Sequence, residues 1–341
     1  MTKVSKQKKF LITGSAGFIG FSLAKIILDK GHLVFGIDNL NSYYDVSLKK
    51  KRLSILKKYK NFYFEKVDIC EEKKMSKLFS KCKPEIVIHL AAQAGVRYSI
   101  SNPEAYIKSN ILGFFNVIDI SRKNNIEHFV YASTSSVYGE NSNSNFREDH
   151  NTDHPIQLYA ATKKSNEVIA HSFSSIYKLP CTGLRFFTVY GPWGRPDMAL
   201  FKFTKNILEG KPIDIFNNGN HSRSFTYIDD LIDSIYKISL KPAKKDKNWD
   251  TKKLKSSSSR HPYRILNIGS DTSIDLMFLI SLIEKNLKKE AIKNFLPLQP
   301  GDIKDTKTNT LKLKKIIKHT SRTSIENGVK SFIDWYRDFY R

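Results

Sequence analysis

Apolar residues along the chain follow two rhythms. Six short runs are almost continuously apolar: "KFLIT" (9–13), "HLVFGID" (32–38), "NFYFEKVD" (61–68), "PEIVIHLAA" (84–92), "EHFVYAST" (127–134) and "CTGLRFF" (181–187). Each reads as a strand covered on both faces. The intervening stretches 18–30, 47–58, 71–81, 103–124 and 157–177 are longer and read as helices, the first stopped at Gly31. Strands alternating with helices predict βαβ units, and hence an α/β fold with a mostly parallel sheet.

After residue 187 the rhythm changes. Gly, Pro and Asn become frequent, and helices at 198–209, 229–239, 273–289 and 323–339 are separated by longer loops. This predicts a smaller, irregular C-terminal domain. The stretch 241–261, "KPAKKDKNWDTKKLKSSSSRH", is Lys/Ser-rich and apolar-poor, and reads as a mobile surface loop.

Charge and cysteines narrow the classes. With 57 Lys and Arg against 33 Asp and Glu, the net charge is +24. The basic residues are scattered, mostly lysine, and carry no aromatic platform or nucleic-acid-binding signature, so a solvated surface is expected rather than a nucleic-acid partner. No apolar run reaches the ~18–20 residues of a bilayer span, so no membrane insertion is expected. The N-terminal stretch reads as a strand and turn, not a signal peptide. Cys70, Cys82 and Cys181 form no CxxC pair, which suggests reduced thiols in a cytoplasmic protein and no metal site.

The first strand runs into "TGSAGFIG", a G-x-x-G-x-x-G turn through Gly14, Gly17 and Gly20. Glycines there permit a tight turn, admit a pyrophosphate to the backbone and let helix pack on strand. The second strand ends at Asp38, 18 residues beyond Gly20. A carboxylate there accepts from ribose hydroxyls and repels a 2′-phosphate, favouring NAD over NADP. Asp68 closes the third strand, where the adenine edge would lie. "YAATK" then places Tyr159 and Lys163 on one helical face, with "STSSVYG" (133–139) at the end of the fifth strand. A neighbouring ammonium and a positive nicotinamide ring would favour the phenolate, making Tyr159 a base for a substrate hydroxyl.

With "DNLNSYYDVSLK", "HLAAQAGVRYS" and "RFFTVYGPWGRPDMA", these motifs give a sequence that resembles the extended short-chain dehydrogenase/reductase family over about residues 8–340. The last stretch, with "DNLNSYYDVSLK", is similar to the branch that epimerises UDP-glucuronate. The resemblance implies a Rossmann-type doubly wound parallel sheet with a smaller, mixed α/β C-terminal domain for a UDP-sugar. The expected division is 8–187 for NAD, completed near 226–240 and 262–268, and 188–225 plus 269–341 for the sugar nucleotide. The cofactor residues expected are Gly14, Gly17, Phe18, Ile19, Gly20, Asp38, Asn39, Asp68, Ile69, Ala91 and Gln93, with Tyr159 and Lys163. By position, Thr134, Tyr159 and Lys163 match the family's catalytic set. Arg97, Ser135, Ser136, Thr188, Arg195, Arg223 and Asp302 match its substrate contacts, Arg195 and its neighbours Thr188, Ser135 and Ser136 at the uronate carboxylate. Relatives place an acid where Asn309 sits. The resemblance also implies a homodimer through the helices at 103–124 and 157–177.

Relatives that dehydrate or decarboxylate carry an acid before "VYG", where this chain has Ser135 and Ser136. That implies C4 epimerisation of UDP-glucuronate to UDP-galacturonate through a 4-keto sugar. UDP-glucose or UDP-N-acetylglucosamine would use the same chemistry. A non-catalytic NAD-binding regulator is the alternative of another class.

Overall fold

The computed structural model describes residues 6–141, 145–252, 254–299, 305–318 and 322–340. Seven strands form one parallel sheet: β1 (Lys9–Thr13), β2 (Leu33–Asp38), β3 (Phe62–Lys66), β4 (Ile86–His89), β5 (His128–Thr134), β6 (Cys181–Phe186) and β7 (Tyr263–Ile268). Their order is β7-β6-β5-β4-β1-β2-β3. The chain builds outward from β1 to β3, then returns to β4 on the other side of β1. A crevice opens at the carboxyl ends of β1 and β4, where such sheets take ligands.

Alternation within the strands explains the continuous apolar runs. Phe10 and Ile12 of β1 enter one core with Ile86, Ile88 and Leu266, under helices Phe18–Asp29 and Ile228–Ser239. Leu11 enters the opposite core with Val87, Phe129 and Ile265, under helices Glu72–Cys82, Gly113–Lys123 and Leu158–Tyr177. A third core joins helices Ala199–Glu209, Leu276–Leu287 and Ile325–Phe339 through Phe201, Ile280 and Phe332. Beside it, strand Ser222–Tyr227 pairs in parallel with Thr188–Tyr190 and antiparallel with Ser273–Asp275.

Two stretches depart from the sequence expectation. The helix expected over 103–124 is interrupted by a π-helical segment, Ile107–Leu112. Buried Asn110 explains it: its amide bonds Gln93 N (2.8 Å), Gln93 O (3.0 Å) and Thr162 Oγ1 (3.0 Å), and its carbonyl accepts from Asn166 Nδ2 (2.6 Å). A widened turn lets one polar residue serve the loop after β4 and the Leu158–Tyr177 helix together. The second is 241–261. Lys244, Lys245 and Lys247 are exposed, but Ser257 and Ser259 are buried. Ser258 Oγ donates to Asp246 Oδ2 (2.8 Å), Ser256 Oγ to Glu148 O (3.2 Å), and Ser257 bonds Asp149 and Lys312. The serine run is pinned into the fold by hydroxyls that composition alone reads as solvated.

Candidate active site

A cavity of about 410 Å³ occupies the crevice. On one side lies the turn after β1. Gly14 has φ +73°, and a Cβ there would meet the Ala91 nitrogen at 2.8 Å; one on Gly20 would meet the Gly14 oxygen at 2.1 Å. Conformation demands glycine at the first position, and helix–strand approach demands it at the second. Helix Phe18–Asp29 starts without a side-chain cap and without an acid in its first turn. Its leading N–H groups have no partner within the helix. They and the positive dipole end are thus left for an anion.

Asp38 Oδ2 accepts from Ala16 N (3.1 Å) and Oδ1 from Leu40 N (2.8 Å), fixing a carboxylate beside the turn. Asn39 Nδ2 donates to Asp68 Oδ2 (2.9 Å), and Cys70 N to Asp68 Oδ1 (2.9 Å). The glycine cradle, open helix start and anchored acid fit a dinucleotide.

The far end holds the residues expected to carry proton chemistry. Thr134 ends β5, and Tyr159 and Lys163 stand in the first turns of helix Leu158–Tyr177. The Thr134 hydroxyl faces the Tyr159 phenol, and its Oγ1 donates to Ser136 Oγ (3.2 Å). Burial pushes the Tyr159 phenol up, while the Arg195 charge and the nearby Thr134 hydroxyl oppose it. The sequence expectation named Lys163 for electrostatic support; the Arg195 charge adds to it. Burial pushes the Lys163 ammonium down to about 8, against the carboxylate of Glu167.

Glu167 belongs to a buried network behind this helix. Its Oε1 accepts from Arg185 Nε (2.9 Å) and Ser133 Oγ (2.6 Å), and its Oε2 from Arg185 Nη2 (2.8 Å). Burial pushes the Glu167 carboxyl up, but the Arg185 pair wins and holds it below its ordinary value.

Arg195 projects from the loop "YGPWGRPDMA" into the cavity wall. Its Nε and Nη2 fork onto Asp197 at 3.0 and 2.5 Å, and Tyr43 OH donates to the same carboxylate (3.3 Å). Burial alone would lower the Arg195 pKa; Asp197, with Tyr43 and Tyr159, raises it, so the charge is permanent. Guanidinium has five N–H donors. Two of them go to Asp197.

All the expected cofactor and catalytic residues line this cavity, as do Ser135, Ser136, Thr188 and Arg195. Among its described lining residues, only Asp38 and Asp68 are acids. Arg97 and Arg223 lie elsewhere, in a second cavity of about 250 Å³ that shares Thr188, Val189 and Met198 with the first. Arg97 sits 4.5 Å above the Phe216 ring, and Arg223 Nη1 donates to Ser222 O (3.0 Å). Asp302 lies outside the described residues. Asn309 Oδ1 accepts from Leu311 N (3.1 Å) in the turn before helix Leu311–Ile317. Among the described residues, no group of three or more His, Cys, Asp or Glu could hold a metal. No described helix is long and apolar enough to cross a membrane.

Sequence reasoning missed Asn110, Arg52, Tyr43 and the Arg185–Glu167 pair. Tyr43 had a signal, the "DNLNSYYDVSLK" stretch that marks the family resemblance. The others are polar residues inside helices or strands that periodicity assigns to solvent or leaves unassigned.

A family model described as "NAD dependent epimerase/dehydratase family" matches residues 10–269. "Protein CapI" of Staphylococcus aureus is 51% identical over 98% of this chain and 99% of its own length. "Probable UDP-glucuronate 4-epimerase" of Rhizobium meliloti is 44% identical over 98% of each. Among solved structures, UDP-glucuronic acid 4-epimerase from Bacillus cereus, in complex with UDP-glucuronic acid and NAD, superposes with a TM-score of 0.86. It is 33% identical over 97% of this chain and 100% of that one.

Proposed function

The chain belongs to the NAD-dependent epimerase/dehydratase family, and from that premise we propose that it interconverts UDP-glucuronate and UDP-galacturonate by inversion at C4. The observation that carries the substrate is the permanently charged Arg195 in the same cavity wall as Tyr159 and Thr134. A planar fork suits a carboxylate.

NAD, when bound, supplies a hydride acceptor and donor at C4 of the sugar. Gly14, Gly17, Phe18, Ile19 and Gly20 would hold its diphosphate, Asp38 and Asn39 its ribose, and Asp68 and Ile69 its adenine edge. Ala91 and Gln93 would line the path to the reacting end. Tyr159, as phenolate, takes the C4 hydroxyl proton with Thr134 bridging, and later returns it. Lys163 and Arg195 keep positive charge near that phenolate; at neutral pH a Lys163 pKa of about 8 leaves it mostly protonated. Arg97 and Arg223, in the second cavity, would anchor the UDP while the 4-keto sugar turns. Asp302 is assigned to the same duty by position in the sequence.

A 4-keto uronate is a β-keto acid, prone to lose carbon dioxide. Arg195, with Thr188, Ser135 and Ser136, would hold the carboxylate in an orientation that resists this loss. Among the described residues no acid lines this end of the cavity, and Asp197 beside it is held by Arg195, so elimination lacks an obvious proton shuttle. The Asp197 pair favours a second reading, in which Arg195 only braces its loop and the substrate is a neutral UDP-sugar. Arg195→Ala separates them. It should cost UDP-glucuronate roughly a hundredfold more kcat/KM than it costs UDP-glucose, the loss common to both reporting the Arg195 charge beside Tyr159; equal losses would favour the second reading.

Residues 8–187, with 226–240 and 262–268, are assigned to NAD, and 188–225 with 269–341 to the UDP-sugar. A homodimer is assigned to the helices bearing exposed Ile107, Leu112, Phe115, Val168 and Ile176, an apolar face unusual for solvent. Three free thiols, two of them buried, accord with a cytoplasmic setting.

A further inference from the structure

We propose that Arg52 is a positioning residue that couples the dinucleotide turn to the loop carrying Arg195. The proposal rests on the reading of Arg195 as the carboxylate contact. Arg52 stands on helix Val46–Leu56, whose lysine-rich sequence reads as a solvated face, yet its side chain is 0% exposed. Its Nη1 donates to Ala16 O (3.0 Å) and to Tyr44 OH (2.8 Å). Its Nη2 donates to Trp193 O (2.5 Å) and Gly194 O (3.4 Å). All four acceptors are neutral, and buried Nε has no hydrogen-bond partner. Burying a cation on neutral acceptors is costly. A leucine or methionine would fill the space more cheaply, so the guanidinium is there for what it joins.

It joins the two halves of the cavity. Ala16 lies inside the glycine turn and also donates its N–H to Asp38. Trp193 and Gly194 immediately precede Arg195. Trp193 has φ +65°, a left-handed conformation rare for a bulky residue and held only where its surroundings fix it. Two sets of contacts do so. Arg52 takes its carbonyl, and its ring packs on Phe21, Trp335 and Phe339 at centroid distances of 5.4, 5.4 and 5.2 Å. Phe21 belongs to the helix that follows the glycine turn. Any adjustment of the turn to a diphosphate therefore reaches the Arg195 loop through one guanidinium and one ring. Arg52 itself does not line the cavity. It acts by placing Arg195.

The test uses purified holoenzyme: wild type, Arg52→Met and Tyr44→Phe. Titration calorimetry gives the affinities for UDP, UDP-glucose and UDP-glucuronate, and the rate of NAD release is followed with each sugar nucleotide saturating. The wild type should prefer UDP-glucuronate over UDP-glucose, and UDP-glucuronate should slow NAD release more than UDP-glucose does, since coupling is reciprocal. In Arg52→Met the preference should shrink by roughly tenfold or more, UDP affinity should stay within about twofold, and the difference in NAD release should vanish. Tyr44→Phe, which removes one bond to Arg52 and leaves the core intact, should move both readouts the same way by less. It answers the question even if Arg52→Met does not fold. Wild-type preference and linkage kept in the variants, whatever happens to their melting temperatures, would overturn the proposal alone. A wild type that shows no preference for the uronate would refute the carboxylate reading and the proposal with it.

Discussion

Glu167→Gln probes how the Tyr159–Lys163 helix is supported. In the native protein Glu167 accepts three hydrogen bonds, two from Arg185 and one from Ser133. Arg185 is 0% exposed and Glu167 3% exposed. The amide can keep the Arg185 Nε and Ser133 bonds through its oxygen, but its NH2 then faces the Nη2 donor. The result is a buried guanidinium without a counter-charge, which costs about 3–5 kcal/mol. That is a large share of the ~5–15 kcal/mol by which folded proteins are stable. Chemical denaturation should show that loss. The double variant Glu167→Met/Arg185→Met should be cheaper than either single change, because removing both charges leaves no orphan. A second consequence follows from Lys163, whose ammonium Glu167 supports. Without that carboxylate the Lys163 pKa falls further, so the alkaline fall of the pH–rate profile moves to lower pH. Additive single losses in the double variant, or an unmoved alkaline limb, would refute the account of this network.

Other consequences are direct. Lys163 titrates near 8, so kcat should decline as pH rises through that value, even though alkali favours the phenolate; a rate that keeps rising to pH 10 would argue against a working ammonium. Tyr159→Phe should lower kcat by roughly 10²–10⁴-fold while bound NAD, measured by absorbance after denaturation, is retained. Gly20→Ala forces a Cβ to 2.1 Å from the Gly14 oxygen, so NAD retention should be lost, with or without loss of fold. Burial pushes His89 and His128 down to about 3, so both stay neutral in the folded chain. The unfolded chain protonates them near 6.5. Stability should therefore fall as pH drops below about 6.5 and continue to fall towards 3, at up to ~1.4 kcal/mol per unit for each histidine; urea midpoints at pH 7, 5.5 and 4.5 check the sign.

The parallel sheet was legible because its strands alternate residues into two cores, which leaves the apolar runs seen at 9–13, 84–92 and 127–134. The glycine turn was legible because Gly14 and Gly20 meet steric demands that other residues fail. Tyr159, Lys163 and Thr134 were legible because helical spacing and a strand end bring them together. What hid from the pattern was polar burial. Arg52 sits among lysines that periodicity assigns to solvent, and nothing local reveals that Ala16, Trp193 and Gly194 converge on it from far along the chain. Asn110 likewise breaks an apparently regular helix for contacts with Gln93 and Thr162. Tertiary partners, not local propensity, decide such groups.

Incubation of the purified protein with UDP-glucuronate, without added reductant, tests the central claim most directly. Chromatography of the products should show UDP-galacturonate appearing to an equilibrium mixture, with no UDP-pentose and no net accumulation of NADH. A UDP-pentose with release of carbon dioxide, or unchanged substrate beside rapid turnover of UDP-glucose, would contradict the account.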